Sequence, residues 1–291
     1  MSIRTDLAME AKTLWEESTE KTTKLQGVVA KERNINGIPV TEVEILDQEG
    51  EKALGKPIGR YITLELPPNE HDVRRLSIGV AQELKSLLTL PQNASVLVVG
   101  LGNEAVTPDA VGPHCISGLF LTRHLIENMP ALFGSYRSVC ALTPGVLGTT
   151  GIESADIVRG AIANVKPDCV LVIDALAARS AARIVRTVQM SDSGIIPGSG
   201  VGNSRVAFNK ETLGVPVYSI GVPTVVDAAT LVAELGGEVK NAKEARMFVT
   251  PRDIDAQIQF ICAVLSGGIN LALHPAMQFE DFAQFATAPL S

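Results

Sequence analysis

The sequence has 291 residues, 46% hydrophobic and 20% charged, which is ample apolar material for a sizeable core in one large domain or one domain with an appendage. A net charge of -7 argues against a nucleic-acid-binding surface, which needs clustered Lys and Arg. Aromatic residues make up only 4%, so Val, Ile, Leu and Ala must fill the core, and four cysteines without a C-x-x-C pair, Cys115, Cys140, Cys169 and Cys262, read as reduced core residues.

The N-terminal MSIRTDLAMEAK lacks the apolar core of a signal peptide, and no uninterrupted apolar run reaches membrane-spanning length. A soluble, cytoplasmic protein without a membrane partner is expected. Residues 4–31 are polar, with a helical run around Leu7 to Leu14. VTEVEIL (40–46) and RYITLEL (60–66) alternate apolar with polar residues and read as strands. Pro67-Pro68 stops the second, and Asn69 can cap a helix to about Leu88 whose apolar face is Val73, Leu76, Val80, Leu84 and Leu87.

From Ser95 onward the pattern is strand, loop, helix, repeated. SVLVV (95–99) is an apolar β-branched run of the kind buried on both faces in a parallel sheet. A loop through Gly100-Leu101-Gly102-Asn103 leads to Asp109, and Pro113 suits the first turn of a helix to about Glu127. Arg137 to Leu142 is a strand, Thr143 to Gly151 a loop, and a helix follows to about Asn164. CVLVI (169–173) repeats the buried-strand pattern and ends on Asp174; Arg183 to Met190 and Pro216 to Val222 are further strands. Asp227 and the Pro251/Asp253 pair open two more helices, and Ser266-Gly267-Gly268 and Asn270 interrupt the apolar stretch from Phe260 to Leu273.

Alternation of this kind predicts an α/β fold: a mostly parallel twisted sheet with helices on both faces. Residues 1–92 have a different texture and form an N-terminal, β-containing extension packed on the core. Residues 93–291 form the α/β catalytic core.

Ligands in open α/β sheets sit beyond the carboxyl ends of the strands, so acids at two such ends, Asp109 and Asp174, mark a candidate acid/base site. GLGNEA (100–105) matches G-x-G-x-x-A, but Thr107-Pro108 prolongs the loop and no helix opens at the glycines. The glycines are therefore assigned to a tight strand exit. Thr150 and Glu153 fit a capping box, and backbone N–H groups at Gly102, Asn103, Gly148 and Thr149 are candidate substrate contacts. The long Gly/Ser loop 191–205 is read as the rim of a cleft. His71, His114, His124 and His274 lack metal-ligand spacing, and no G-x-S-x-G elbow is present, so neither a metal, a cofactor nor a serine triad is expected.

VVGLGNEAVTPDAVGP (98–113), TPGVLGTTGIESADIVRG (143–160), VIDALAARS (172–180), SGIIPGSGVGN (193–203) and IGVPTVVDA (220–228) resemble the germination proteases of spore-forming Gram-positive bacteria, as do IRTDLA (3–8) and MFVTP (247–251). The resemblance implies an endopeptidase of the spore core that hydrolyses small acid-soluble spore proteins, on a fold like that of the hydrogenase-maturation proteases. It places the catalytic carboxylates on Asp109 and Asp174, and it implies a self-processing zymogen and a homotetramer. Only Met1-Ser2 precede Ile3, where many relatives carry a longer pro-segment, so control by pro-peptide removal is not expected of this sequence. Substrates of that family are cut in a Glu-containing segment, which makes Arg179, Arg183 and Arg205 candidate partners for the glutamate. The alternatives are a metal-assisted maturation-type peptidase and a non-catalytic nucleotide- or ligand-binding α/β protein.

Overall fold

The computed structural model describes residues 5–18, 25–91, 93–200, 202, 205–237 and 247–286. Helix α1 (Ala8–Ser18) precedes strands β1 (Val28–Ile35) and β2 (Ile38–Ile45). These two strands turn on Asn36 and Gly37, whose φ angles of 51° and 84° are the left-handed values that a two-residue hairpin demands and that Asn-Gly supplies. Asp47 caps α2 (Gln48–Leu54) by accepting from the Glu49 and Gly50 N–H groups, and β3 (Gly59–Glu65) follows. Helix α3 (Val73–Leu87) is capped by Asp72, three residues beyond the expected Asn69, and buries Leu76, Val80, Leu84 and Leu87 as its periodicity predicts.

The predicted central strand is β4 (Val96–Gly100). A single 3-10 turn (Thr107–Asp109) then leads into α4 (Val111–Ser117). The one long helix expected from Pro113 is split at Gly118 into α4, α5 (Arg123–Asn128) and the short α6 (Pro130–Phe133). The reason is tertiary: Asn270 accepts from the Phe120 N–H at 2.8 Å and donates to the Gly118 carbonyl at 3.0 Å, holding the chain in an open loop. Strand β5 (Val139–Leu142), α7 (Leu147–Thr150), α8 (Ser154–Val165), β6 (Cys169–Ala178), β7 (Thr187–Ser191), α9 (Lys210–Leu213), β8 (Val217–Asp227), α10 (Ala228–Glu234), β9 (Phe248–Val249), α11 (Ile254–Leu273) and α12 (Phe279–Ala286) complete the chain.

Among the described residues, nine strands join one sheet in the order β1-β2-β3-β7-β8-β6-β4-β5, with β9 pairing β8. Strands β5, β4, β6 and β8 run parallel, while β7, β3, β2, β1 and β9 are added antiparallel. Thus the parallel sheet is one half of a mixed one, and the N-terminal strands continue it across β7. Strand β1, absent from the sequence reading, is the outermost and is charged (VVAKERNI), as suits an exposed edge.

Because strand side chains alternate, β4 and β6 feed two cores. Val96, Val98, Leu171 and Ile173 face α3 and α11, whereas Leu97, Val99, Val170 and Val172 face Ala155 and Val158 of α8 together with Phe208 and Leu213. Each such fully buried aliphatic side chain contributes about 1.5–3 kcal/mol. Helix α11 is long and apolar enough to cross a bilayer by length and composition, yet 67% of that window is buried within the fold. Ser266, Gly267 and Gly268 do not break it; a Cβ on Gly267 would meet Ser77 Oγ at 2.6 Å and one on Gly268 would meet Val80 Cγ1 at 2.4 Å, so the two glycines let α3 lie close, while Ser266 donates to the Cys115 carbonyl of α4 at 3.0 Å. Three of the cysteines are buried, Cys140 is half-buried, and all are free thiols.

His274 ends α11 with 1% exposure, its Nε2–H donating to the Phe120 carbonyl at 3.0 Å. Burial pushes its pKa down to about 4. A histidine kept neutral in the fold contributes its full stability above the unfolded value of about 6.5 and loses it as pH falls toward 4. Chemical denaturation is therefore expected to show about 3 kcal/mol lost across that window, and His274→Gln should flatten the slope. An unchanged slope in the variant assigns the acid sensitivity elsewhere.

Candidate active site

Asp174 is not at the end of its strand. Strand β6 continues four residues further, to Ala178, paired with β8, so that Asp174 stands mid-strand opposite Gly221. Its side chain is 5% exposed, at the point where β4 gives out. There the Leu101 N–H donates to the Ile173 carbonyl at 2.8 Å, which brings the loop after β4 over Asp174. That loop is drawn tight by glycine: a Cβ on Gly100 would meet the Gly112 carbonyl oxygen at 2.5 Å, and one on Gly112 would meet that of Leu101 at 2.2 Å. The glycines of the G-x-G-x-x-A match stand at the exit of β4, where they allow a close backbone approach.

Asp109 closes the loop. Its N–H donates to the Val106 carbonyl at 2.7 Å, and its Oδ2 accepts from the Asn103 N–H at 2.9 Å. Gly102, with φ 117°, passes so near that a Cβ would lie 1.9 Å from the Asp109 carbonyl oxygen. Asp109 and Asp174 line one cavity of about 760 Å³, floored by Leu101, Leu176 and Phe208 and walled by the 196–198 and 205–206 segments. Among the described residues neither carboxylate is in an ion pair with Lys or Arg.

The two acids are not equivalent. Burial first, then the Asp109 and Asp6 carboxylates, push the Asp174 carboxyl well above the ordinary carboxylate range. Burial also raises Asp109, but the Asn103 N–H works against it by stabilising the carboxylate. Both carboxyls are thus shifted toward holding a proton, Asp174 more strongly than Asp109. Among the described residues no group of three His, Cys, Asp or Glu side chains is set to hold a metal ion.

The germination protease family model matches residues 6–239. The chain belongs to the germination protease family. It is 42% identical to the germination protease of Clostridium perfringens over 98% of this chain and 99% of the relative. It is 44% identical to that of Caldanaerobacter subterraneus, over 98% of both chains. A more distant relative, from Priestia megaterium, is 37% identical over 98% of this chain and 97% of its own. Among solved structures, a NiFe hydrogenase maturation protease from Thermococcus kodakarensis aligns at 18% identity and a TM-score of 0.34, covering 63% of this chain and 98% of its own. The protein is a protease acting in spore germination.

Within this germination protease family member, Gly102, Asn103, Gly148 and Arg205 line the cavity with the two aspartates. Thr149 is not among the lining residues; its hydroxyl donates to the Val146 carbonyl at 2.9 Å inside the α7 turn. The Asn103 N–H is already given to Asp109, so it holds the acid instead of waiting for a substrate oxygen. Arg179 and Arg183 also lie off the cavity wall. Arg179 pairs with Glu17 at 2.9 Å, and Arg183 with Glu10 and Glu65 at 3.1 and 2.9 Å. Arg179 ties α1, and Arg183 ties both α1 and β3, to the end of β6 and the segment after it.

Glu153 was assigned to a capping box with Thr150. In the structure Thr150 ends α7, and Glu153 occupies the N-cap position of α8 without capping it. Glu153 instead lines the cavity and faces Arg205 at 3.9 Å. Asp6, another acid on the cavity wall, has no role in the sequence reading. No spacing rule connects position 6 with position 174, and only the folded chain brings them together.

Proposed function

We propose that this protease is an endopeptidase that hydrolyses small acid-soluble spore proteins, with a water activated between Asp109 and Asp174. The observation that carries the reading is the pair of carboxylates in one cavity with unequal tendencies to hold a proton. Asp109 takes a proton from the water as the water oxygen bonds to the scissile carbon, and Asp174 gives its proton to the carbonyl oxygen. Collapse of the tetrahedral diol delivers the Asp109 proton to the leaving nitrogen and returns the other to Asp174. Arg205, on the cavity wall and only loosely engaged by Glu153, is the cation placed to meet an acidic side chain of the substrate.

Incubation of the purified protein with a small acid-soluble spore protein should release discrete fragments, with and without a chelator. Asp109→Asn should lower kcat/KM by about 10³-fold or more at unchanged circular dichroism. Cleavage by Asp109→Asn at the wild-type rate removes the two-aspartate mechanism. Loss of wild-type activity on chelation, restored by added metal, favours a metal-assisted one.

A further inference from the structure

Asp6 comes from the segment before α1, far from either aspartate in sequence, yet it is built into the cavity wall. Its N–H donates to the Ala177 carbonyl at 3.0 Å, and its Oδ2 accepts from the Ala177 N–H at 2.9 Å. These two bonds fall where the pairing of β6 with β8 shifts register, between Leu176 and Ala177. The other carboxylate oxygen accepts from the Ser199 hydroxyl at 2.7 Å. A Cβ on Gly200 would lie 2.1 Å from Oδ2, so the Gly/Ser loop is seated on this side chain. Gln189 holds the segment from below, donating to the Asp6 carbonyl at 3.0 Å and accepting from the Ala8 N–H at 2.7 Å.

Beyond Asp6 lies a second cavity of about 680 Å³, lined by Lys56, Tyr61, Gln189 and Ser193. Asp6, Leu176 and Ile196 border both cavities and so form the partition between them. Three hydrogen bonds through one carboxylate and its own N–H hold Asp6 in the wall of the cavity that Asp174 also lines, and its charge, after burial and Asp109, is among those that raise Asp174.

We propose that Asp6 is a further acid of the cleft, a positioning residue whose charge bears on Asp174 and whose hydrogen bonds fix the cavity wall beside it. The inference rests on the two-aspartate reading above. A negative charge near Asp174 disfavours a second one there and keeps the general acid protonated to higher pH. The other charged groups that face this region are Asp109 from the turn before α4, Glu153 from the start of α8, Arg205 from the Gly/Ser loop and Lys56 from the α2–β3 connection. Lys56 is attracted by Asp6 and by Glu10 of α1, though desolvation, the larger influence, lowers its pKa. Its Nζ lies 3.5 Å from the Thr5 carbonyl, against the backbone next to Asp6.

The test uses the full chain and four variants. Asp6→Asn is isosteric, and its amide can accept from Ala177 and donate to the Ser199 hydroxyl, so it removes the charge and preserves the wall. Asp6→Glu keeps the charge, and Ser199→Ala removes one hydrogen bond without touching the charge. Two readouts are taken: the alkaline midpoint of kcat/KM, and the titration of the Asp174 carboxyl by carbon NMR of aspartate-labelled protein, with its signal assigned by its loss in Asp174→Asn.

In Asp6→Asn both midpoints should fall by about half a unit to one unit, an up to about tenfold loss of activity at high pH. They should stay near wild type in Ser199→Ala and return toward it in Asp6→Glu. An Asp174 titration unmoved in Asp6→Asn overturns the proposal, whatever happens to the rate. If instead that titration moves while Asp174→Asn still cleaves, the coupling stands and the catalytic reading falls. Should Asp6→Asn not fold, Asp6→Ser, a shorter neutral side chain, is read by the same two midpoints, which should again fall. Midpoints that stay at the wild-type values then count against Asp6.

Discussion

The Asp174→Asn protein is expected to lose proteolysis and, at the same time, to resist unfolding better than the wild type at neutral pH. The loss follows from chemistry. An amide in place of the protonated carboxyl cannot deliver a proton to the scissile carbonyl and recover it, so kcat/KM should drop by about 10³-fold or more. The gain follows from the position of the side chain, which is 5% exposed and flanked by two other acids that raise its pKa. A carboxyl whose folded pKa is raised contributes its full stability below the unfolded value of about 3.9 and loses it as pH rises through the folded value.

At pH 7 the unfolded chain ionises this group freely, while the fold must either keep it protonated or bury a charge. Asparagine has the same shape and no such penalty. A gain of about 1–3 kcal/mol is expected at pH 7, or about 2–4 °C in Tm for each kcal/mol, shrinking toward zero near pH 4. Calorimetry at the two pH values together with a cleavage assay reads both effects. A variant that melts lower than wild type at pH 7, or one that still cleaves, contradicts the protonated buried acid. The result would be a stability–activity trade-off located in one atom pair.

The second large effect is expected at Gly102, which lines the cavity and lays its backbone against Asp109. Its φ of 117° lies where L side chains are strained, and a Cβ would come within 1.9 Å of the Asp109 carbonyl oxygen and 3.3 Å of its Oδ1. Gly102→Ala must therefore push the Asp109 turn outward and loosen the Asn103–Asp109 hydrogen bond. We expect about 2–4 kcal/mol of lost stability and at least a ~100-fold fall in kcat/KM, because the base moves by about an ångström from its place. Gly148→Ala is the control: it lines the same cavity, but an added Cβ meets nothing within 4 Å. Its stability in urea should stay within about 0.5 kcal/mol of wild type, as alanine is the better helix former. Equal stability for the two variants would show that the Gly102 conformation is not under the constraint described.

Much of the architecture was legible locally. Apolar β-branched runs at Val96–Gly100 and after Cys169 announced strands buried on both faces, and these became β4 and β6. The spacing of Leu76, Val80, Leu84 and Leu87 announced α3, since a helix returns to the same face every three or four residues. Short-range signals failed where a distant residue decides the outcome. The split between α4 and α5 depends on Asn270 from α11, and the continuation of β6 past Asp174 depends on a partner strand, β8, that runs as far. Ser266, Gly267 and Gly268 look like a break in the chain but are a contact surface once α3 lies against the glycines and α4 against the serine.

The same division holds at the active site. The sequence by itself determined which residue types stand at 109 and 174, the glycines that let the loop close, and membership of the family. Those are properties of side-chain chemistry and backbone freedom at single positions, carried by near neighbours. Only the tertiary structure decided that Asp6 joins the pair, that Glu153 faces the cavity while Thr149 turns away, and that Arg179 and Arg183 brace α1 and β3. Proximity in space across 168 positions, from residue 6 to residue 174, is set by sheet pairing and the packing of two layers. So is the upward shift of both carboxyls, because burial and the charges of neighbours exist only after the chain has folded.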